Sequence, residues 1–205
     1  MEKMCVIFGA GQCISPRKHF GKTDLIVAAD GGYTTAVNAG LKPDVVIGDF
    51  DSSDAPEDDG AFIVKLNRDK DDTDMLAAVK LGLRREYRLF VIYGGTGGRP
   101  DHTFANISTL AYLNAYGAKG YLVFDDCVAT VITDGKFTLP KDAHGTVSVF
   151  AYGGVADGVT LKNLGYELNN AQLTPEFPLG VSNATSVKSG EISVKHGSLL
   201  IFFPR

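Results

Sequence analysis

The sequence predicts an α/β protein in two parts. An N-terminal, mostly parallel α/β sandwich domain covers residues 1–125, and a smaller all-β sandwich domain covers residues 126–205. Three observations carry this reading. Short apolar runs alternate with helix-like stretches through the first part. Helical periodicity stops after about Asp126. From there, short strand-like runs follow one another with turn signals between them.

The apolar runs of the first part lie at 4–8, 25–29, 45–47, 62–66, 89–93 and 121–124. They are rich in Val, Ile, Phe and Tyr, and several are continuous, as strands buried on both faces must be. Between them, Met75, Leu76, Val79 and Leu83 recur at helical spacing, and so do Phe104, Ile107, Leu110 and Ala111. Asp72 or Thr73 supplies the cap of the first helix, and Pro100 opens the second, since proline suits a first helical turn. Strand alternating with helix implies a parallel sheet covered on both sides. In the second part, runs at 128–133, 136–139, 146–152, 159–161, 192–194 and 199–203 read as strands. Turns are expected at Asp134-Gly135, a strong hairpin signal, and at Gly153-Gly154. There is no internal repeat or long linker, so the boundary near 124–128 is tight.

A hydrophobic fraction of 44% in 205 residues is ample for a buried core in either part. The net charge of −4 and the lack of any basic cluster argue against a nucleic-acid partner. The short pairs Arg17-Lys18 and Arg84-Arg85 read as solvated surface. Cys5, Cys13 and Cys127 form no Cys-x-x-Cys pattern, which argues against a zinc site or redox dithiol. Cys5 lies in an apolar run and reads as a buried thiol. No apolar run approaches the roughly 20 residues that span a bilayer, and residues 1–5 are too short and polar to open a signal peptide. The expectation is a cytoplasmic protein with no membrane partner.

In open parallel sheets, ligands bind beyond the carboxyl ends of the strands, and here those ends collect acids and glycines. They carry Gly9-Ala10-Gly11, Asp30-Gly31-Gly32, Gly48-Asp49-Phe50-Asp51-Ser52, Asp69-Lys70-Asp71-Asp72-Thr73-Asp74 and the segment from Gly94 to His102. Asp49 and Asp51 are two apart and can point the same way on an extended segment. Asp71 and Asp74 share a face in a first helical turn. Carboxylates gathered this way call for a cation, and Mg²⁺ takes a few carboxylates together with phosphate oxygens and water. The four aspartates are therefore read as one metal site. The register around Asp69, Asp71 and Thr73 is not an EF-hand, because Asp74 stands where that loop needs glycine.

Residues 94–98 follow a strand and precede a helix, where backbone N–H groups can cradle phosphate. Arg99 adds a planar donor fork. The segment is not a Walker A loop, and Gly9-Ala10-Gly11 does not complete a dinucleotide fingerprint, since residue 14 is Ile. The glycine pair at 9 and 11 reads as a tight turn. His102 is a base, a contact to phosphate or base edge, or an ordinary first-turn residue.

Taken together these residues resemble the thiamine pyrophosphokinase family. The resemblance rests on Ala29-Asp30-Gly31-Gly32, Gly48-Asp49-Phe50-Asp51-Ser52, Lys70-Asp71-x-Thr73-Asp74 and Gly94-Gly95-x-Gly97-Gly98-Arg99-x-Asp101-His102 followed by Asn106. In the second part, residues 160–168 are similar to a family segment from which Asn163, Gly165 and Glu167 depart. Gly180-Val181-Ser182-Asn183 matches a Gly-x-Ser-Asn element, with Ala184 where Glu is common. The resemblance implies diphosphoryl transfer from ATP to thiamine with Mg²⁺, in a homodimer whose thiamine site lies near the subunit interface. It implies that Asp49, Asp51, Asp71 and Asp74 hold the metal and that Arg99 and Lys70 steady the triphosphate. Asp30, Gly31, Gly95, Gly97, Gly98, Asp101, His102 and Asn106 would shape the nucleotide site. Tyr166, Ser182 and Asn183 would receive thiamine, with the Tyr166 face stacking on a cationic ring.

Two other readings fit parts of the pattern. Asp49-Phe50-Asp51-Ser52-Ser53 approximates the nucleophile motif of haloacid-dehalogenase-like phosphatases, which normally belongs to a first strand and leaves 94–102 unexplained. A non-catalytic nucleotide- or thiamine-binding regulator is the other, and it has less need of several metal carboxylates.

Overall fold

The computed structural model describes residues 2–13, 16, 20–50, 60–67, 71–186 and 189–205. The chain divides into two units, Met1–Asp125 and Asp126–Arg205. Asp51 and Lys70 lie outside the described residues.

In the first unit, β1 (Met4–Phe8), β2 (Leu25–Ala29), β3 (Val45–Gly48), β4 (Phe62–Lys65), β5 (Leu89–Tyr93) and β6 (Lys119–Val123) form a parallel sheet in the order β4-β3-β2-β1-β5-β6. Among the described residues, three helices accompany them: α1 (Gly32–Asn38), α2 (Asp74–Arg84) and α3 (Pro100–Ala115). Alternate residues of β1 serve the two faces, as the strand period requires. Val6 and Phe8 pack with Ala36 of α1, Tyr93 and Val123. Cys5 lies against α2 on the opposite face, beside Gly82. A Cβ at Gly82 would stand 2.5 Å from Cε1 of Phe90 and 2.8 Å from Sγ of Cys5. Glycine inside a helix sacrifices about 1 kcal/mol of propensity, and here it lets α2 approach the sheet. The resulting burial pushes the Cys5 thiol up to about 12.

Thr73 settles the choice of cap for α2, its Oγ1 accepting a hydrogen bond from the Leu76 N–H at 3.1 Å. Asp72 pairs instead with Lys80 at 2.7 Å. Pro100 stands in the first turn of α3. Helix α1 is not anticipated by the apolar pattern. Its seven residues bury only Gly32 and Ala36, too few to write a helical period into the sequence.

The second unit is antiparallel throughout. Its strands are β7 (Cys127–Thr133), β8 (Lys136–Thr138), β9 (Thr146–Lys162), β10 (Leu168–Leu173), β11 (Gly180–Ala184), β12 (Glu191–Ser193) and β13 (His196–Pro204). They form two sheets, β7-β13-β9-β11 and β8-β12-β9-β10, with β9 common to both.

Two turn expectations are corrected here. Gly153-Gly154 does not end a strand, because β9 runs 17 residues straight through it. Residues 146–152 pair in the first sheet and 156–162 largely in the second. Gly153, at φ +73°, lets the strand bend from one sheet to the other. Asp134-Gly135 does turn the chain, with Asp134 at φ +46°, but no hairpin results. β7 pairs with β13 and β8 with β12, and the turn is pinned by the Gly197 N–H donating to Oδ1 of Asp134 at 2.8 Å. Strands β10 and β11 were absent from the sequence reading because their residues, such as Leu168-Asn169-Asn170-Ala171, lack an apolar run.

Among the described residues, no helix is long and apolar enough to cross a membrane.

Candidate active site

The chain leaves β1 toward β2 on one side and returns through β5 on the other. The crevice between β1 and β5 is therefore a topological switch point, where ligands bind in open sheets. Residues 9–12 and 93–96 leave the two strands side by side. Gly9, Gly11 and Gln12 donate their N–H groups to the carbonyls of Tyr93, Gly94 and Thr96, each at 2.8 Å. A Cβ at Gly9 would stand 2.6 Å from the Gly94 oxygen, so glycine is what allows these backbones to touch. The glycine pair read from the sequence as a turn in fact braces the phosphate-loop candidate. The cleft above holds about 450 Å³ and is lined by Gly9, Gly11, Asp30, Asp49, Asp74, Gly95, Gly98, Arg99, His102 and Asn106, among others.

Among the described residues, three carboxylates meet in this cleft. Asp30 follows β2, Asp49 follows β3, and Asp74 is the first residue of α2. Each offers an oxygen, and the three oxygens lie within 4.8 Å of one another, all half-buried. The Asp30 N–H donates to the Ile47 carbonyl at 2.8 Å, which ties the end of β2 to that of β3. Asp30 itself is held at φ +50°, an uncommon backbone state for a residue with a side chain. Its Oδ1 is buried with no hydrogen-bond partner. A buried carboxylate oxygen left unpaired costs free energy that a cation offsets. The donor set, all hard oxygen, suits Mg²⁺.

The sequence grouped Asp49, Asp51, Asp71 and Asp74. Of these, the structure brings Asp49 and Asp74 together and adds Asp30, which the sequence had assigned to the nucleotide. Asp71 is exposed and does not belong to the group.

On the opposite wall, Asn106 is buried and donates from Nδ2 to the Gly95 carbonyl at 2.8 Å, fixing the glycine loop to α3. Arg99 and Asp101 form an exposed, two-pronged pair, with Nη2 to Oδ2 at 2.6 Å and Nε to Oδ1 at 3.2 Å. That hydrogen bond holds the Asp101 carboxyl below its ordinary range and raises Arg99. Arg99 and His102 line the cleft at the mouth of α3. Gly97, at φ +81°, turns away onto Gln12, and Gly31 caps α1 against Ala10. Neither contributes to the lining as Gly95 and Gly98 do. Thr73, Met75 and Thr103 also line the cleft. The sequence offered Thr73 as a cap and motif residue and Met75 as part of a helical repeat, but none of the three as a site residue.

In the second unit, Tyr166 is 75% exposed at the tip of the loop before β10. Asn183 holds that loop from β11. Its Nδ2 donates to the Tyr166 carbonyl at 2.6 Å and its Oδ1 accepts from the Tyr166 N–H at 2.9 Å. The Ala184 N–H donates to the same oxygen at 2.9 Å. The Asn183 side chain is thus buried and occupied by the backbone, while Tyr166 presents its ring outward. Glu167, a departure from the family segment, accepts from the Asn163 N–H at 2.7 Å and closes the other side of the loop. Ser182 is exposed at φ +57°, with its N–H donating to Oγ of Ser148 at 3.1 Å.

The family model for the thiamin pyrophosphokinase catalytic domain matches residues 17–122, more than half of the chain, and that for the thiamin pyrophosphokinase vitamin B1 binding domain matches residues 136–199. The chain belongs to the thiamin pyrophosphokinase family. The two matches fall on either side of the division at Asp125. The thiamine pyrophosphokinase of Bacillus subtilis (strain 168) is 29% identical over 192 residues, covering 88% of this chain and 89% of that protein. Thiamin pyrophosphokinase 1 of Caenorhabditis elegans is 29% identical over 203 residues, covering 89% and 79%. Among solved structures, the thiamin pyrophosphokinase from Geobacillus thermodenitrificans superposes with a TM-score of 0.85 at 27% identity, over 98% of this chain and 97% of that one.

Proposed function

We propose that the chain transfers the β,γ-diphosphoryl group of ATP to the hydroxyl of thiamine, giving thiamine diphosphate and AMP. The observation that carries this reading is one cleft in which Asp30, Asp49 and Asp74 converge opposite a glycine loop at the mouth of a helix. Carboxylates on one wall and N–H donors on the other suit a polyphosphate bound with a divalent cation. The phosphatase alternative loses its footing here. Asp49 follows β3, whereas β1 ends in Gly9-Ala10-Gly11.

Mg²⁺ would be held by Asp30, Asp49 and Asp74, and when bound it supplies charge neutralisation to the phosphate oxygens. On the family resemblance, Asp51 and Asp71 would help orient Mg²⁺ through water, and Lys70 would steady the triphosphate. These three rest on the sequence. The N–H groups of the loop and first turn of α3 cradle the phosphates, with Asn106 keeping the loop in register. Arg99 exchanges Asp101 for a phosphate oxygen, a swap of one anion for another at a weakly held exposed pair. His102 contacts the nucleotide from the same turn. The thiamine oxygen attacks the β-phosphorus, the bond from that phosphorus to the α,β-bridging oxygen breaks, and AMP leaves. The hydroxyl proton passes to solvent or to a cleft carboxylate. Positioning supplies most of the rate.

The acceptor is received by the ring of Tyr166, whose exposed face suits a cationic heteroaromatic ring, together with the Ser182 hydroxyl. Asn183 acts by positioning Tyr166. The working form is a homodimer with this acceptor site near the subunit interface, supported by the exposed apolar residues Phe177, Leu179 and Val181 at and beside β11. We place the reaction in the cytoplasm, in keeping with three free cysteines. Incubation with ATP, Mg²⁺ and thiamine tests the reading. AMP is expected only when thiamine is present, and AMP released without thiamine, or none at all, contradicts it.

A further inference from the structure

A second hollow, of about 340 Å³, lies at the far ends of the same two helices that carry the cleft. Asp74, at the start of α2, faces the cleft, whereas Leu83 and Arg84, at its end, line the hollow. Ten residues of helix separate them, a rise of about 15 Å. The hollow is made by Lys80, Leu83, Arg84 and Arg88 against Tyr112 and Tyr116 of the α3 end. Its size is at the lower end of small-molecule pockets.

The chemistry of the lining is specific. Lys80 and Arg84 stand four apart on α2, where like charges repel and weaken a helix. Arg88 joins them, and among the described residues no acidic residue lines the hollow, although the chain carries a net charge of −4. Asp72, close by, accepts from Nζ of Lys80 at 2.7 Å. Arg88 is anchored by donating from Nη1 to the Tyr87 carbonyl at 2.9 Å and to the Leu83 carbonyl at 3.4 Å. Tyr112 and Tyr116 pack ring to ring, with centroids 4.6 Å apart and planes 31° apart, and form an aromatic wall. Arg84 is exposed, as the sequence suggested, and the structure places it beside aromatic rings.

We propose that this hollow binds an aromatic phosphate monoester, with its ring against Tyr112 and Tyr116 and its phosphate between Arg84, Arg88 and Lys80. Two guanidinium forks match the tetrahedral oxygens of phosphate better than a single carboxylate plane. A bare phosphate leaves the aromatic wall unused, and a neutral aromatic leaves the guanidinium groups of Arg84 and Arg88 unused, Lys80 being already paired with Asp72. The site goes beyond the diphosphoryl transfer and does not depend on it.

Calorimetric titration of the full chain with phenyl phosphate and, separately, inorganic phosphate tests it. Wild-type protein is expected to bind phenyl phosphate at one saturable site about tenfold more tightly than inorganic phosphate, the worth of one aromatic contact. Arg84→Glu is expected to weaken phenyl phosphate by about tenfold or more. Tyr116→Ala, at an exposed side chain, should bring the two probes to similar affinity. Arg99→Ala, in the other cleft, should leave phenyl phosphate binding unchanged. Thermal unfolding confirms that each variant is folded, and Tyr116→Ala carries the test if Arg84→Glu is not. No saturable binding up to about 10 mM overturns the proposal. So does binding that survives both Arg84→Glu and Tyr116→Ala, or binding lost with Arg99→Ala.

Discussion

Asp30 is the residue whose meaning changes most between sequence and structure. Its unpaired, buried Oδ1 and left-handed backbone are costs that a cation shared with Asp49 and Asp74 would offset. Saturating Mg²⁺, at about ten times its dissociation constant, is expected to stabilise the wild-type protein by about 1.4 kcal/mol. Asp30→Asn and Asp74→Asn should lose this Mg²⁺-dependent rise in melting temperature, while Asp71→Asn, which reaches the metal only through water, should keep most of it. A Mg²⁺ response unchanged in Asp30→Asn would remove that residue from the site. The sequence made Asp49 and Asp74 legible through their spacing. It could not pair them with Asp30, because spacing along the chain does not say which strand ends lie side by side. At the acceptor, Tyr166→Ala is expected to raise the KM for thiamine about tenfold and leave that for ATP unchanged, and an equal rise in both would count against stacking. Asn183 was legible as a motif residue only. Its work, two hydrogen bonds to the Tyr166 backbone, depends on β11 lying beside that loop.

At the scale of elements, α2 links packing to the cleft. Thr73 caps it and Asp74 follows at once, so Thr73→Ala is expected to cost about 1 kcal/mol in thermal or denaturant unfolding and to weaken Mg²⁺ binding with it. Gly82→Ala should destabilise by about 1–3 kcal/mol despite alanine's better helix propensity, because its methyl would meet the Phe90 ring and Cys5. Strand β1 carries a pH signature. The unfolded thiol loses its proton near its ordinary value of 9.0, whereas the folded chain keeps it to about 12. Stability from this group is therefore complete below pH 9 and is lost as pH rises toward 12, at up to about 1.4 kcal/mol per pH unit. Cys5→Ala should flatten that alkaline decline, measured by denaturant unfolding between pH 8 and pH 11 (roughly the window those two values bracket). Elements that bury a full face were legible. Strand β9 was not, because glycines that bend a strand and glycines that end one look alike until its partners are known.

The division of the whole molecule was visible in the sequence as the loss of helical period after about Asp126, because parallel sheets need crossover helices and antiparallel ones do not. The order β4-β3-β2-β1-β5-β6, which creates the crevice, was not visible, since strand neighbours are chosen by tertiary packing. The second unit exposes Phe177, Leu179 and Val181, the last on β11, an edge strand. Sedimentation equilibrium is expected to give a dimer, and Leu179→Asp combined with Phe177→Asp is expected to shift it toward monomer. A wild-type chain that stays monomeric at about 100 μM would remove the dimer from the account. The central claim is transfer of the terminal diphosphoryl group as one piece from a cleft built on Asp30, Asp49 and Asp74. ATP labelled at its β-phosphorus tests it most directly. The label is expected to appear in thiamine diphosphate, none of it in AMP, with Asp30→Asn slowing the transfer about a hundredfold or more. Label recovered in ADP, with thiamine monophosphate as the product, would contradict the account.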